Sequence, residues 1–206
     1  MCVPEDLMHN ECEGILKAEA AHFIFYCIRM KQFFGLDNLN QQLDTDTFPG
    51  EGSRPTPYFI DSFLTGDKAD KVATKQAKKQ KTEKKAKEKG DPSYLPKPGA
   101  HVHMTAGQML TFALHSPQIF LNLGVPLNDP AYCNWLDHIS YLRIFMQHSL
   151  TNDDVCEVER LIKKHQEGLK SLSKVYPSIW KPTHHYVYHF PLDIRHFGPP
   201  RHYWCM

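Results

Sequence analysis

The sequence has no CxxC pair among its six cysteines, and Cys2, Cys12, Cys27, Cys133, Cys156 and Cys205 follow no regular spacing. That argues against a zinc ribbon and against a disulfide framework, and predicts reduced, structural thiols in an intracellular protein. No apolar run approaches the roughly 20 residues of a membrane-spanning helix, so no membrane partner is expected. The opening Met1-Cys2-Val3-Pro4-Glu5-Asp6 has neither a basic start nor an apolar stretch, so no secretory leader is expected. No segment alternates apolar and polar residues convincingly with period two, so strands are not predicted. Net charge is scarce as well, +1 over 206 residues. Global charge therefore carries no argument for nucleic-acid binding.

What is present is enough to build a core. Hydrophobic residues make up 41% of the chain and aromatics 12%, which excludes global disorder and suits one domain or a large piece of one. The charge is unevenly spread. Residues 67–89 hold ten Lys against four acids with almost no apolar partners, so the rest of the chain is net acidic. Such a stretch cannot offset its ordering entropy by burial and is expected to be a disordered insertion or a frayed solvent helix.

The helical signals lie on either side of it. Ile15, Leu16, Ala20, Phe23, Ile24, Cys27 and Ile28 recur mainly at spacings of three and four, which predicts an amphipathic helix over 5–34 with Gly35 as its stop. Leu36, Leu39 and Leu43 suggest a short second helix. Thr105 with Gln108 forms a capping box before Met109, Leu110, Phe112, Ala113 and Leu114, with a break expected at Pro117. Asp129-Pro130 is a cap followed by proline at the first helical position. Trp135, Ile139, Leu142, Phe145 and Met146 then mark a helix over 130–150. Another begins at Asn152 and runs through Val155, Val158, Leu161, Ile162, Leu169 and Leu172 to Val175-Tyr176-Pro177. The fold class expected is all-α, in three parts: an N-terminal helical segment 1–45, a Pro/Gly-rich loop with the Lys-rich insertion over 46–99, and a C-terminal helical segment 100–206.

Two short motifs at opposite ends carry most of the chemistry. Asp6-Leu7-Met8-His9 is a D-x-x-H that runs into Glu13-Gly14. Asp6 and His9, three apart, share a helix face. His184-His185-Tyr186-Val187-Tyr188-His189 supplies imidazoles near the other end, with His185 and His189 one helical turn apart. Asp6, His9, His184, His185 and His189 are thus candidate ligands for one zinc, which favours four N, O or S donors. Ordinary helix-end imidazoles bonded to backbone carbonyls are the competing reading. Asp6, Glu11 and Glu13 form a possible carboxylate set for Mg²⁺ or acid–base work, or simply acids that complement a helix N-terminus. Cys2, Cys12 and Cys205 would need a lowered pKa to act as nucleophiles. Lys78, Lys79, Lys81, Lys84 and Lys85 are candidate phosphate contacts or a nuclear import signal, against the plainer reading of a solvated insertion.

These residues also carry a family resemblance. Pro4-Glu5-Asp6-Leu7-Met8-His9 with Glu13-Gly14 resembles the P-D-x-M-H-x-x-x-E-G segment of CACTA-type (EnSpm, Tnp2-like) cut-and-paste DNA transposases. His103-Met104-Thr105-Ala106-Gly107-Gln108-Met109-Leu110 is similar to their K-L-S-A-S-Q-M segment. The likeness extends through Lys181-Pro182-Thr183-His184-His185 to His189-Phe190-Pro191. It ends in Phe197-Gly198-Pro199-Pro200 with Trp204 and Met206, similar to F-G-P-x-x-x-x-W-x-M-R-F-E. It covers nearly the whole chain outside 46–99, specific at both ends and loose in the middle.

The resemblance implies an RNase H-like enzyme in which two Asp and a Glu bind two Mg²⁺ for in-line attack on DNA phosphates. A helical insertion separates the second Asp from the Glu. The chain matches that insertion, and all three acids would lie outside it, before Met1 and after Met206. No catalytic residue is therefore assigned here, and Mg²⁺ would belong only to a full-length transposase. In the related recombinase that assembles antigen-receptor genes, a zinc is held by a C-x-x-C pair and an H-x-x-x-x-H pair. His184 and His189 stand at the second spacing, and Asp6 and His9 at the first position, so the resemblance implies a structural zinc or a hydrogen-bonded Asp–His cluster. It also implies DNA (transposon ends) as partner, a possible homo-oligomer and a nuclear location, while the charge of the Lys run, with Arg195 and Arg201, makes these the expected phosphate contacts. The alternatives are a non-catalytic helical module that binds DNA or protein and, with less support, a metallohydrolase built on Asp6, His9, His185 and His189.

Overall fold

The computed structural model describes residues 7–48, 55, 102, 104–176 and 179–203. It is mainly helical, with no strand among the described residues. Asp6, the Lys-rich stretch and most of 46–99 lie outside the described residues, as do Cys2 and Cys205.

The first helix is continuous but not uniform. A π-helical segment, Met8–Ile15, leads into α1, Leu16–Phe25, and a second π-helical segment, Tyr26–Met30, closes it. The expected amphipathic pattern is not what forms. Every residue of α1 except Lys17 is buried, so this is a central helix with neighbours all round. That inclusive burial takes Glu11, Glu19 and His22 into the interior with the apolar residues. Gly35 is not its stop. The chain turns at Gln32, whose φ is +55°, and Gly35 becomes the N-cap of α2, Leu36–Thr45, its N–H donating to Asn38 Oδ1 at 3.0 Å.

The next helix, α3, Ala106–Asn122, starts at the Thr105–Gln108 capping box. The break expected at Pro117 does not occur, because the helix runs through it. The proline leaves the Ala113 carbonyl without its usual i+4 donor, and Ser116 Oγ–H supplies one at 2.7 Å. Trp135 Nε1–H in turn donates to Ser116 Oγ at 2.8 Å, and Tyr132 O–H to the Pro117 carbonyl at 2.6 Å. The helix α4, Pro130–Phe145, begins at Asp129, whose Oδ1 accepts from Ala131 and Tyr132 N–H. The helix α5, Asn152–Ser171, begins at a Thr151–Asp154 box.

Helices α4 and α5 form an antiparallel hairpin. Asn134 meets His165, and Asp137 meets Lys164 at 2.7 Å, so sequence rises on one helix as it falls on the other. Gly168 lets them approach, since a β-carbon there would run into the Asn134 side chain. The core is aromatic around Phe23, with ring centroids 4.8 Å from Phe120, 5.9 Å from Trp135 and 6.0 Å from Tyr132. Truncating such a ring to Ala costs about 3–5 kcal/mol.

Two further α-helices follow, α6, Thr183–Tyr186, and α7, Phe190–Phe197, joined by a 3₁₀ turn over Val187–His189, and a 3₁₀ turn over Pro200–Tyr203 closes the described chain. The first lies on the opening π-helical segment, and α7 packs on α5. Thr183 sits so close to Gly14 that a β-carbon there would come 3.3 Å from Thr183 Cγ2. Gly198, with φ +84° and ψ −163°, ends α7 in a conformation open only to glycine. No helix among the described residues is long and apolar enough to cross a membrane.

Candidate metal centre

The inward faces of α1, α4 and α5 converge on a buried polar network. Glu19 lies between apolar positions of α1, with Leu16 three residues before it and Phe23 four after. His138 lies between Trp135 and Tyr141 on the buried side of α4. His165 occupies the apolar stripe of α5 between Leu161 and Leu169. All three are essentially inaccessible to solvent, as are Glu11 and His184.

The contacts form a connected chain. His138 Nδ1 lies 2.7 Å from Glu19 Oε2, and its Nε2 lies 3.0 Å from Glu11 Oε2. Tyr141 O–H donates to Glu11 Oε1 at 3.3 Å. The other oxygen of Glu19 receives His165 Nε2 at 3.0 Å and His184 Nε2 at 3.2 Å. His165 Nδ1 donates to the Asn134 carbonyl at 3.1 Å. His184 Nδ1 accepts from the Lys181 N–H at 3.1 Å, and its own carbonyl accepts from Gln166 Nε2 at 3.0 Å.

Proton placement follows from these partners. His184 Nδ1 faces a donor, so its proton is on Nε2 and it is a neutral imidazole donating to Glu19. His138 faces a carboxylate on each side, and His165 faces a carbonyl and a carboxylate. His138, with an acceptor carboxylate at each ring nitrogen, suits an imidazolium. Its charge and the hydrogen bonds from His165 and His184 offset the cost of burying the two carboxylates. Burial alone would push the His138 imidazolium down. The carboxylates of Glu19 and Glu11 outweigh it and raise its pKa to about 10. Burial would likewise raise Glu19, but His165 and His138 hold it well below the usual carboxylate range.

Three of these side chains could together hold a metal ion. One donor atom each from Glu19, His138 and His165 lies within 4.8 Å of the other two, the group of this kind found among the described residues. Among the described residues, His9, His184, His185 and His189 of the zinc set expected from the terminal motifs are not grouped in this way. His184 is committed to Glu19 and the Lys181 N–H. His185 and His189 stand edge-to-face with ring centroids 5.2 Å apart, both exposed, and His9 is exposed too. Asp6 lies outside the described residues.

The remaining expected sites divide similarly. Glu11 does not serve as a solvent-facing first-turn acid but is buried against His138 and Tyr141, while Glu13 is exposed. Cys12 and Cys27 are buried and Cys133 and Cys156 exposed, none of the four in a disulfide. Arg195 reaches Glu159 at 3.4 Å on the surface, and Arg201 donates to the Met146 carbonyl at 2.9 Å, closing the end of α4. Lys78, Lys79, Lys81, Lys84 and Lys85 lie outside the described residues.

Sequence reasoning did not single out Glu19, His138 or His165. The available signal was three lone ionisable residues at apolar-periodic positions of three helices. No family model, curated protein or solved structure matches the chain.

Proposed function

We propose that the chain is the helical insertion region of a CACTA-type cut-and-paste DNA transposase, catalytically incomplete by itself. The motifs at its two ends support this reading, and so does the all-helical architecture. The observation that carries it is the packing of Thr183–Tyr186 on Met8–Ile15. An insertion must leave and re-enter its parent core at neighbouring points, and here the segments after the first motif and at the second lie against each other. Exposed Trp180, Tyr186, Tyr188, Leu192 and Phe197 crowd one short stretch beside that junction. In the full-length protein this apolar surface packs on the RNase H-like core.

In this reading the Asp, Asp and Glu that hold two Mg²⁺ belong to that core, and DNA is the partner of the assembled, nuclear enzyme. The chain alone contributes salt-sensitive, sequence-independent phosphate contacts through the Lys run. A nicking assay on supercoiled DNA with Mg²⁺ or Mn²⁺ tests it. The expected result is no nicking by the chain and nicking once flanking Asp- and Glu-bearing segments are joined to it. Nicking by the chain alone that disappears in Asp6→Ala or Glu13→Ala would make those acids catalytic and defeat the proposal.

The exposed aromatic stretch also favours a second reading, a non-catalytic helical module that docks on another protein. Loss of DNA retention at low salt, with a stable protein complex lost in Tyr188→Ala/Leu192→Ala, would select it over the first.

A further inference from the structure

The geometry points to a structural zinc-class metal site formed by Glu19, His138 Nδ1 and His165 Nε2, at which His184 is a positioning donor and not a ligand. This inference is independent of the transposase reading and of the terminal motifs. It rests on how the second nitrogen of each ring is used. A metal-bound histidine almost always donates its other N–H to a carboxylate or a backbone carbonyl, which fixes the tautomer and aims the lone pair at the ion. His138 has Glu11 Oε2 in that role at 3.0 Å, and His165 has the Asn134 carbonyl at 3.1 Å. Both remaining nitrogens point to the same carboxylate, 2.7 and 3.0 Å from its two oxygens.

His184 is built the opposite way. The Lys181 N–H occupies its Nδ1, so Nε2 must keep a proton and cannot bind a cation as a neutral ring. It donates to Glu19 Oε1 instead, orienting that carboxylate as an outer partner does. One site therefore holds two imidazoles whose outer nitrogens are partnered as those of metal-bound histidines are, and a third with a supporting tautomer.

The spacing and the charge also fit. Donors at about 2.0–2.1 Å from a tetrahedral ion lie about 3.3 Å from each other, and one donor atom each of Glu19, His138 and His165 already lies within 4.8 Å of the other two. A dication there would lie beside two buried carboxylates, Glu19 as ligand and Glu11 behind His138, whose charge it would offset. Nitrogen and carboxylate donors without thiolate suit zinc over Mg²⁺ or Ca²⁺, which take oxygen sets. The three ligands come from three different helices, so the ion would pin the α4–α5 hairpin to the central helix. Because the site is fully buried, loading accompanies folding.

The test uses the whole chain, refolded with either Zn²⁺ or a chelator. One zinc per chain is expected after gel filtration, with a higher melting temperature than the chelated protein. X-ray absorption at the zinc edge should show two imidazoles with oxygen donors and no sulfur. Competition against a chromogenic chelator should show Glu11→Gln weakening binding about 10- to 100-fold, and Glu19→Gln and His165→Ala weakening it further. His185→Ala/His189→Ala should bind zinc like the wild type. Glu19→Gln is nearly isosteric, and its far-ultraviolet circular dichroism separates lost binding from lost folding. Failure of the wild type to retain zinc, a sulfur ligand in its absorption spectrum, or loss of zinc in the His185→Ala/His189→Ala variant would each overturn the assignment.

Discussion

Glu19 and His138 meet at 2.7 Å across 119 residues of sequence, both sealed from solvent. This contact fastens the central helix to the α4–α5 hairpin, and Glu19 carries it further by receiving His165 and His184 on its other oxygen. A carboxylate with three imidazole partners is a point where one substitution disturbs three helical segments.

Removing one partner of a buried ion pair leaves the other charge uncompensated. Glu19→Ala is therefore expected to destabilise the metal-free chain by about 3–5 kcal/mol. Glu13→Ala, six residues earlier on the same continuous helix but exposed, should change stability by no more than about 0.5 kcal/mol. Urea unfolding followed by circular dichroism compares the two. Equal effects would mean that the network contributes nothing specific.

The proline in α3 is tolerated because of its neighbour. Ser116→Ala should cost about 1–3 kcal/mol, since it strands the buried Ala113 carbonyl and the Trp135 indole N–H. Adding Pro117→Ala restores a backbone N–H to the Ala113 carbonyl. The double variant is expected to be more stable than Ser116→Ala alone. A double-mutant cycle reads the coupling, and purely additive effects would discard this account of the helix continuing.

Asp129 does two jobs with its two oxygens. Oδ1 caps α4, and Oδ2 accepts from Tyr26 O–H at 2.7 Å. Asp129→Ser keeps a capping oxygen, so its cost isolates the tyrosine contact. Asp129→Ala loses both and should be worse by about 0.5–2 kcal/mol, the usual value of an N-cap. Thermal melts of the two variants with Tyr26→Phe as reference give the comparison.

Alkali should unfold the chain through its buried phenols. Burial first, and then the Asp129 carboxylate, raises the pKa of Tyr26. Burial also raises Tyr132 and Tyr176. Each is a neutral acid whose folded pKa exceeds its unfolded value near 10. The stability they contribute is complete below about pH 10 and is lost as pH climbs towards the folded values. Absorbance of tyrosinate should therefore show at least these three of the nine tyrosines ionising only with loss of helix. Their ionisation ahead of unfolding would contradict the burial.

Much of the helical layout was legible in the sequence, because its causes are local. The Thr105–Gln108 box and the Asp129-Pro130 start act within one turn, and the apolar periodicity of α4 and α5 is carried by each helix alone. Where the reading missed, a neighbour distant in sequence or a side-chain bond intervened. Gly35 looked like a helix stop, but Gln32 made the turn and Asn38 made Gly35 a cap. Pro117 looked like a break, but Ser116 and Trp135 repaired it. The opening helix looked one-sided, but it lies at the centre, which no pattern along its own length reveals.

The sequence by itself determined that helices form, where several begin, and that both ends carry histidine-containing motifs. Only the tertiary structure decided which ionisable residues meet. Glu19 is 119 residues from His138, 146 from His165 and 165 from His184, and periodicity records only that each lies on a buried face. Which buried faces converge is settled by how whole helices pack. A carboxylate taken into that interior must find charged or hydrogen-bonding partners there, because water cannot reach it.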